Sequence, residues 1–396
     1  MIFFQKFAWL VISRLVAALL QAASLIVVAR NAGPEIFGVM AAFMGLVIVL
    51  QTVFDCGLFT FITRLRASEP ESPTVTRALK TYKYIGLGLC VILTALAISL
   101  SMAGEMPWWT LMPLAFAGWL ERQGDVRLTV ALADGEVWKS SATLVIRRSI
   151  TLGLLVAFGM TAVSPVLAFG TASLVASVVS LGLSYKLVVL RTEAGKISIV
   201  EVRQILRTSR PFWINSIGVQ IRNIDVVLVG AVAGSVVAGL YGAIARSLNP
   251  LMLLASSMAS VLLPMAVKAD RKGGRSLVVP VVLLMCFIAF VHIIGAIFAD
   301  KYVPLLFGVE FLPAVGGFRI VLIGLIFASF SSIQTALLQA RGREILVGRV
   351  SLVTSALALG GIAIGAYQGG VLGATIGLTI SYVAQSLMLL FESSRK

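Results

Sequence analysis

The sequence predicts an all-α, polytopic membrane protein: about twelve transmembrane helices in two six-helix lobes around a central cavity, with both termini cytoplasmic. Three observations carry this. Apolar residues make up 59% of the chain and charged residues 12%, with a mean hydropathy of +1.01; soluble domains hold about 45–50% and about 25%. The apolar excess falls in blocks of about twenty residues, each long enough to cross roughly 30 Å of hydrocarbon at about 1.5 Å per helical residue. The cations also segregate. Alternate loops hold twenty-two lysines and arginines, the others only Arg30 and Lys301, and the positive-inside rule places the rich side in the cytoplasm.

The elements follow in order. Span 1 (8–30) comes after Lys6 and is too long for a signal-peptide core, with no small-residue cleavage site behind it, so it is expected to be retained. Span 2 (36–63) runs to the basic pair Arg64 and Arg66. Spans 3 and 4 (84–103 and 108–133) follow Arg77, Lys80 and Lys83, with Trp108 and Trp109 between them. Spans 5 and 6 (140–162 and 165–185) lie between Lys139 and Lys186. The stretch after span 6 is amphipathic (Ile197, Val200, Val202, Ile205, Leu206) and is expected to lie along the membrane surface as a link. Spans 7 and 8 (210–232 and 236–267), 9 and 10 (277–298 and 313–340), and 11 and 12 (345–367 and 370–391) complete the chain. Trp9, Trp138 and Trp213 also stand at span ends, where an amphipathic ring suits the headgroup level. The expected organisation is an N-terminal lobe (1–190), a cytoplasmic amphipathic linker (191–209) and a C-terminal lobe (210–396).

Several function classes are excluded. Cys56, Cys90 and Cys286 sit in apolar blocks and read as small buried thiols without a disulfide framework. The single histidine, His292, rules out a multi-histidine metal site, and no P-loop motif is present, so no metal and no ATPase cofactor is expected. Loop topology accounts for most of the net charge of +15, which leaves a nucleic-acid partner with little to explain.

Two halves are suggested by more than the count. The turn after span 1 reads Ala32-Gly33-(x4)-Gly38 and the turn after span 7 reads Ala233-Gly234-(x4)-Gly239, an offset of 201. Carried into the helices, that offset aligns Arg14, Ala17, Gln21 and Ser24 with Asn215, Gly218, Arg222 and Asp225, each set expected on one helical face. Six-plus-six spans with equivalent polar faces are what a transporter built from repeats shows.

Eight arginines fall within the spans: Arg14, Arg122, Arg127, Arg147, Arg148, Arg222, Arg246 and Arg319. An arginine at mid-bilayer costs about 2.5–3.5 kcal/mol on insertion scales. Arg127, Arg148 and Arg319 are close enough to span ends to snorkel. Arg14, Arg122, Arg147, Arg222 and Arg246 lie deeper and must face the interior or a wet cavity. The acids Asp55, Glu121, Asp125 and Asp225 are fewer, and Arg122–Asp125 and Arg222–Asp225 are i,i+3 pairs able to neutralise each other. The surplus of guanidinium points to an anionic occupant, and its fork matches phosphate. Other intramembrane features read as structural: Gly361, Gly365, Gly369, Gly373 and Gly377 as small-xxx-small packing, Pro250 and Pro264 as helix kinks.

At this point the chain resembles the oligosaccharide-lipid (O-antigen type) flippases of the multidrug/oligosaccharidyl-lipid/polysaccharide exporter superfamily. The resemblance rests on the run from Ala29 to Gly38, on Asp55-Cys56-Gly57-Leu58 with Arg64, and on Asp225 before Gly230. It continues through Gly239-Leu240-Tyr241, Leu263-Pro264, Leu306-Phe307-Gly308 with Phe311 and Arg319, and Gly370-Val371-Leu372-Gly373-Ala374. It implies two lobes working by alternating access in a bacterial cytoplasmic (inner) membrane. The cargo would be an undecaprenyl-pyrophosphate-linked glycan, and polysaccharide polymerase and export machinery would be partners beside the membrane lipids. Under it, Arg14, Arg122, Arg147, Arg222 and Arg246 bind substrate. Asp55, Asp125 and Asp225 pair with them or take a coupling ion, a proton or sodium. The charge in span 4 (Glu121, Arg122, Asp125, Arg127) maps onto no motif of the family.

Three alternatives were weighed. A lipid II flippase also needs a cationic cavity, but its larger span count disfavours it. A small-molecule exporter for lipophilic cations would want acidic and aromatic walls. A membrane glycan polymerase needs carboxylates presented to water on sizeable outer loops, whereas the longest outer loop here is about 299–312.

Overall fold

The structure, a computed structural model, describes residues 2–102, 108–161, 163–190, 197–253, 278–340 and 343–394. Among these there is no strand. The helices are α1 (Ile2–Asp55), α2 (Leu58–Ser68), α3 (Pro73–Met102), α4 (Met112–Ala133), α5 (Val137–Phe158), α6 (Pro165–Leu187) and α7 (Ile199–Gln220). They continue as α8 (Asp225–Ala233), α9 (Ser235–Ser247), α10 (Val278–Ile297), α11 (Ala299–Phe307), α12 (Val315–Ala340) and α13 (Glu344–Ser394).

Among the described residues, seven helices are long and apolar enough to cross a membrane, or nine when two bent pairs each count as one span. Two of those helices are double. α1 breaks at Gly33 (φ 73°, ψ 168°), with Pro34 behind it, and α13 breaks at Gly369–Gly370. α4 is 22 residues long and fails only because Glu121, Arg122, Asp125 and Arg127 lie along it. With the breaks and α4 included, the described helices supply the twelve expected spans.

The structure corrects some boundaries. Span 2 does not run to residue 63. Its helix stops at Asp55, because Cys56 (φ 48°) and Gly57 (φ 76°) take left-handed conformations before α2 begins. A Cβ on Gly57 would stand 2.4 Å from the Ser209 carbonyl oxygen, so this corner is shaped for the backbone of α7. There the Ser209 hydroxyl donates to the Cys56 carbonyl at 2.7 Å, and Trp213 Nε1 donates to that of Val53 at 2.9 Å. Residues 199–209 form the first half of the continuous helix α7. The thiols are free, and none is fully buried. Span 8 beyond residue 253, Pro264 included, lies outside the described residues.

α7 opens with a capping box in which Ser198 and Glu201 each accept from the other's backbone N–H. The bond from the Ser198 N–H holds the Glu201 carboxyl below the usual glutamate range, and Arg77 at 2.7 Å acts in the same direction. A lowered carboxyl pKa contributes stability at neutral pH that is lost as pH falls through the folded value. Hydrogen exchange, corrected for intrinsic rates, should show residues 198–202 fraying below about pH 4. In Glu201→Gln this acid-dependent step should disappear.

Two compact units divide the chain. One comprises Met1–Ser24 with Phe43–Asn223, the other Leu25–Ala42 with Ile224–Lys396. These units are partitioned differently from the lobes expected at 1–190 and 210–396, since the outer ends of spans 1 and 2 cluster with the C-terminal helices. Within the second unit the duplicated turns meet. Gly33 and Gly234, 201 residues apart, share one backbone conformation (φ 73°, ψ 168° and φ 88°, ψ 169°). Their partners Gly38 and Gly239 cross reciprocally. A Cβ on Gly38 would lie 2.0 Å from the Ser235 carbonyl oxygen, and one on Gly239 only 1.7 Å from that of Pro34. Phe37 packs edge-on to Phe311, and Arg30 donates to the Leu305 carbonyl at 2.9 Å. The polar stripes match less well. α7 ends at Gln220, Arg222 sits in the 3-10 turn Ile221–Ile224 and Asp225 opens α8, so no single helix carries the stripe.

In α13 the two halves fold back on each other along the glycine repeat. A Cβ on Gly365 would stand 2.1 Å from the Gly373 carbonyl oxygen, one on Gly373 1.9 Å from that of Gly365, and one on Gly377 2.1 Å from that of Gly361. This is close-approach packing of the small-xxx-small kind. Gly365→Val should push the helices apart and lower the melting temperature of the detergent-solubilised protein. Gly360→Ala, where a Cβ meets nothing within 4 Å, should leave it unchanged or raise it.

Candidate functional site

The first unit holds an ion-pair network built from α1, α4 and α5. Asp55, at the end of α1 and 1% exposed, accepts from the Phe59 N–H at 3.3 Å and lies 3.6 Å from Arg122. The Arg122 guanidinium covers the Phe59 ring at 4.8 Å. Arg147, only 2% exposed, bonds Asp125 at 2.8 Å and Glu121 at 2.9 Å, and its Nη1 also donates to the Ser180 hydroxyl at 3.4 Å. Arg148 bonds Glu121 at 2.8 Å. Helical spacing explains the convergence. Glu121 and Asp125 are one turn apart on α4, and α5 turns Arg147 and Arg148 toward them.

Arg122, Arg147 and Arg148 face Asp55, Glu121 and Asp125, so the network is neutral. Burying so many charges in hydrocarbon is tolerable only because each is paired. The sequence-level i,i+3 pairing of Arg122 with Asp125 is replaced by pairing between helices. Arg122 goes to Asp55 and Asp125 goes to Arg147, because α1 and α5 present the nearer partners. Arg147 thus finds its acids on the neighbouring helix.

A cavity of about 110 Å³ adjoins the network, lined on its polar side by Gln21, Gln51, Glu121, Arg148 and Ser173. Gln51 is fixed by donating to the Gly118 carbonyl at 2.7 Å. The larger groove along α13, about 1100 Å³, has no charged lining residue. Chemistry for an anion in these two spaces thus resides in the first unit.

The other candidates lie on separate elements. Arg14 is exposed on the first half of α1 and makes no ion pair among the described residues. Arg222 sits in the 3-10 turn Ile221–Ile224, and Arg246 closes α9 at 9% exposure. Asp225 accepts from its neighbour's N–H at 2.7 Å and from the Tyr241 hydroxyl at 3.1 Å. Arg127 caps the end of α6 through the Ser184 and Val188 carbonyls and stacks on Tyr185 at 4.1 Å. Arg319 reaches Asp300 at 3.4 Å. Both are thus engaged within the protein at helix ends. Arg148 instead points into the network, and the sequence signal that could have found it was Glu121 and Asp125 spaced to meet two adjacent arginines on the next helix.

No curated protein matches the sequence. A family model described as polysaccharide biosynthesis protein matches residues 27–316. Among solved structures, the chain is similar to the lipid II flippase MurJ in an inward closed conformation, with TM-score 0.79 and 16% identity over 97% of this chain and 87% of that one. It is also similar to an inward-facing multidrug resistance MATE family transporter of the MOP superfamily (TM-score 0.73, 16% identity, 96% and 94%). A MOP superfamily transporter from Pyrococcus furiosus, whose binding pocket has reversed polarity, gives TM-score 0.64 and 18% identity over 98% and 95%. At these identities the likeness shows the fold, that of a multi-pass membrane protein.

Proposed function

The chain belongs to the polysaccharide biosynthesis family whose model spans residues 27–316, and from that premise we propose that it is a flippase, not an enzyme. It carries a polyprenyl-pyrophosphate-linked oligosaccharide from the cytoplasmic to the outer face of the cytoplasmic membrane by alternating access, for cell-surface polysaccharide synthesis. The observation that carries this is the set of guanidiniums within apolar helices of the first unit, of which Arg14 and Arg148 keep part of their surface open. A diphosphate offers such groups bidentate, charge-assisted bonds.

Arg14, Arg148 and Arg222 of the first unit are the proposed headgroup ligands, and Arg246 is a separate candidate in the second. Arg122 and Arg147, held by Asp55 and Asp125, are proposed to fix the wall behind them. For a coupling proton or sodium ion the candidate is Asp225, with Tyr241 beside it. Polymerase and export machinery remain proposed partners.

The test is accounting of lipid-linked glycan by membrane face in a deletion strain. Wild type should clear the oligosaccharide from the cytoplasmic face, and Arg222→Ala and Arg246→Ala should leave it there at normal protein abundance. Normal translocation in the deletion strain with altered chain length would transfer the reading to a polymerase. The absence of any glycan phenotype would favour a small-molecule exporter.

A further inference from the structure

Glu121 stands between two arginines that are not equivalent. Its Oε1 accepts from Arg148 at 2.8 Å and stands in an ion pair with Arg147 at 2.9 Å. Arg147 does not depend on it, because Asp125 bonds the same guanidinium at 2.8 Å and 3.4 Å. Arg148 has Glu121 as its ion-pair partner among the described residues. Exposure divides the two in the same way: Arg147 is 2% exposed, Arg148 18% and Glu121 24%. Arg148 and Glu121 also line the cavity with Gln21, Gln51 and Ser173, whereas Arg147 does not. One half of the network is a fixed base, and the other opens onto a small, mostly apolar cavity in which Glu121 and Arg148 are the charged groups.

We propose that Glu121 is a built-in stand-in for the cargo's phosphate: it neutralises Arg148 when the carrier is empty and yields Arg148 to an anionic diphosphate headgroup when cargo arrives. This rests on the flippase reading above and assigns a role within it. A carrier must cross between its states empty as well as loaded. With Glu121 in place, three arginines face three carboxylates, and this network carries no uncompensated charge through a low-dielectric region. When a headgroup takes Arg148, Glu121 keeps its bond to Arg147. The groups facing Glu121 are Arg147 and Arg148 from α5, Arg122 and Asp125 on its own helix, and the neutral Gln51 and Ser173 from α1 and α6.

Removing the stand-in should therefore tighten binding while slowing the return of the empty carrier. The probes are geranylgeranyl diphosphate, titrated against purified full-length protein in detergent, and inorganic pyrophosphate. In Glu121→Gln, affinity for geranylgeranyl diphosphate should rise about tenfold, the order of one charge-assisted bond no longer shared. In proteoliposomes the same variant should retain exchange of labelled for unlabelled geranylgeranyl diphosphate across the bilayer but lose most net transport. Arg148→Gln keeps every carboxylate and should lose about tenfold in affinity at an unchanged melting temperature. This variant keeps the test decisive if Glu121→Gln does not fold.

Wild-type binding that Glu121→Gln leaves equal or weaker, or that Arg148→Gln leaves unchanged, overturns the stand-in role alone. Tightening for pyrophosphate but not for the lipid diphosphate would assign the site to a free anion and overturn the lipid cargo. Failure of folded wild-type protein to bind either probe overturns the cargo reading and this inference with it.

Discussion

Gly38→Val is expected to be among the most damaging single substitutions in the second unit. The position has no slack: a Cβ there would sit 2.0 Å from the Ser235 carbonyl oxygen and 2.7 Å from the Gly239 amide nitrogen. Both obstacles are backbone atoms, so no side-chain rotation relieves the clash, and the two helices have to separate. Overpacking of ordinary cores costs about 1–3 kcal/mol, and a backbone-on-backbone crossing belongs at or beyond the top of that range. The melting temperature in detergent should drop sharply and membrane abundance should fall with it. Gly239→Val should behave alike, since its Cβ meets the Pro34 carbonyl oxygen. Gly153→Ala is the control, because a Cβ there meets nothing within 4 Å. That change should stabilise α5 by up to about 1 kcal/mol. A fully stable Gly38→Val protein would mean that the duplicated turns do not cross as described.

Arg147→Ala should be nearly as costly, for an electrostatic reason. It removes a side chain 2% exposed that bonds Asp125 and Glu121 together. Glu121 keeps Arg148, but Asp125, 31% exposed, loses its bonded cation. Breaking one side of a fully buried pair costs about 3–5 kcal/mol, and the partial exposure of Asp125 puts this loss at or below the low end. Adding Asp125→Asn to Arg147→Ala should recover much of the loss, and a double-mutant cycle in thermal melts would measure the coupling. Arg14→Ala supplies the contrast. It is exposed and unpaired among the described residues, so its stability should change by less than about 0.5 kcal/mol, while transport should fall. A reversal, with Arg14→Ala unstable and Arg147→Ala intact, would exchange the structural and binding roles assigned to the two.

The fold was legible because hydropathy and loop charge report on the bilayer directly. Blocks of apolar residues and an inner-side excess of cations hardly depend on which helix packs on which. The glycines were legible too: Gly33, Gly38, Gly234 and Gly239 encode a backbone geometry that no other residue tolerates, so their offset survived in the sequence. What stayed hidden depended on helix rotation. The sequence placed Asp125 beside Arg122 because a single helix was the only ruler to hand, and the partner proved to be Arg147 on α5. The depth of Arg148 in span 5 carries no information about its neighbour on α4, which is what places it in the network. The break at Cys56–Gly57 was missed because hydropathy continues through it, although the local conformation does not.

The glycine seam of α13 also bears on biogenesis. A helix faced with Gly361 and Gly365 offers a neighbour only backbone, and alone in a membrane it would leave that notch to be filled by lipid tails. Its complement is the strip carrying Gly373 and Gly377, which emerges from the ribosome only a few residues later. Neither half is a finished object without the other, so the physical unit delivered by the insertion machinery is the pair. A nascent chain halted between the two halves should be a preferred substrate for membrane quality-control proteases. Release of about twenty further residues should end that vulnerability.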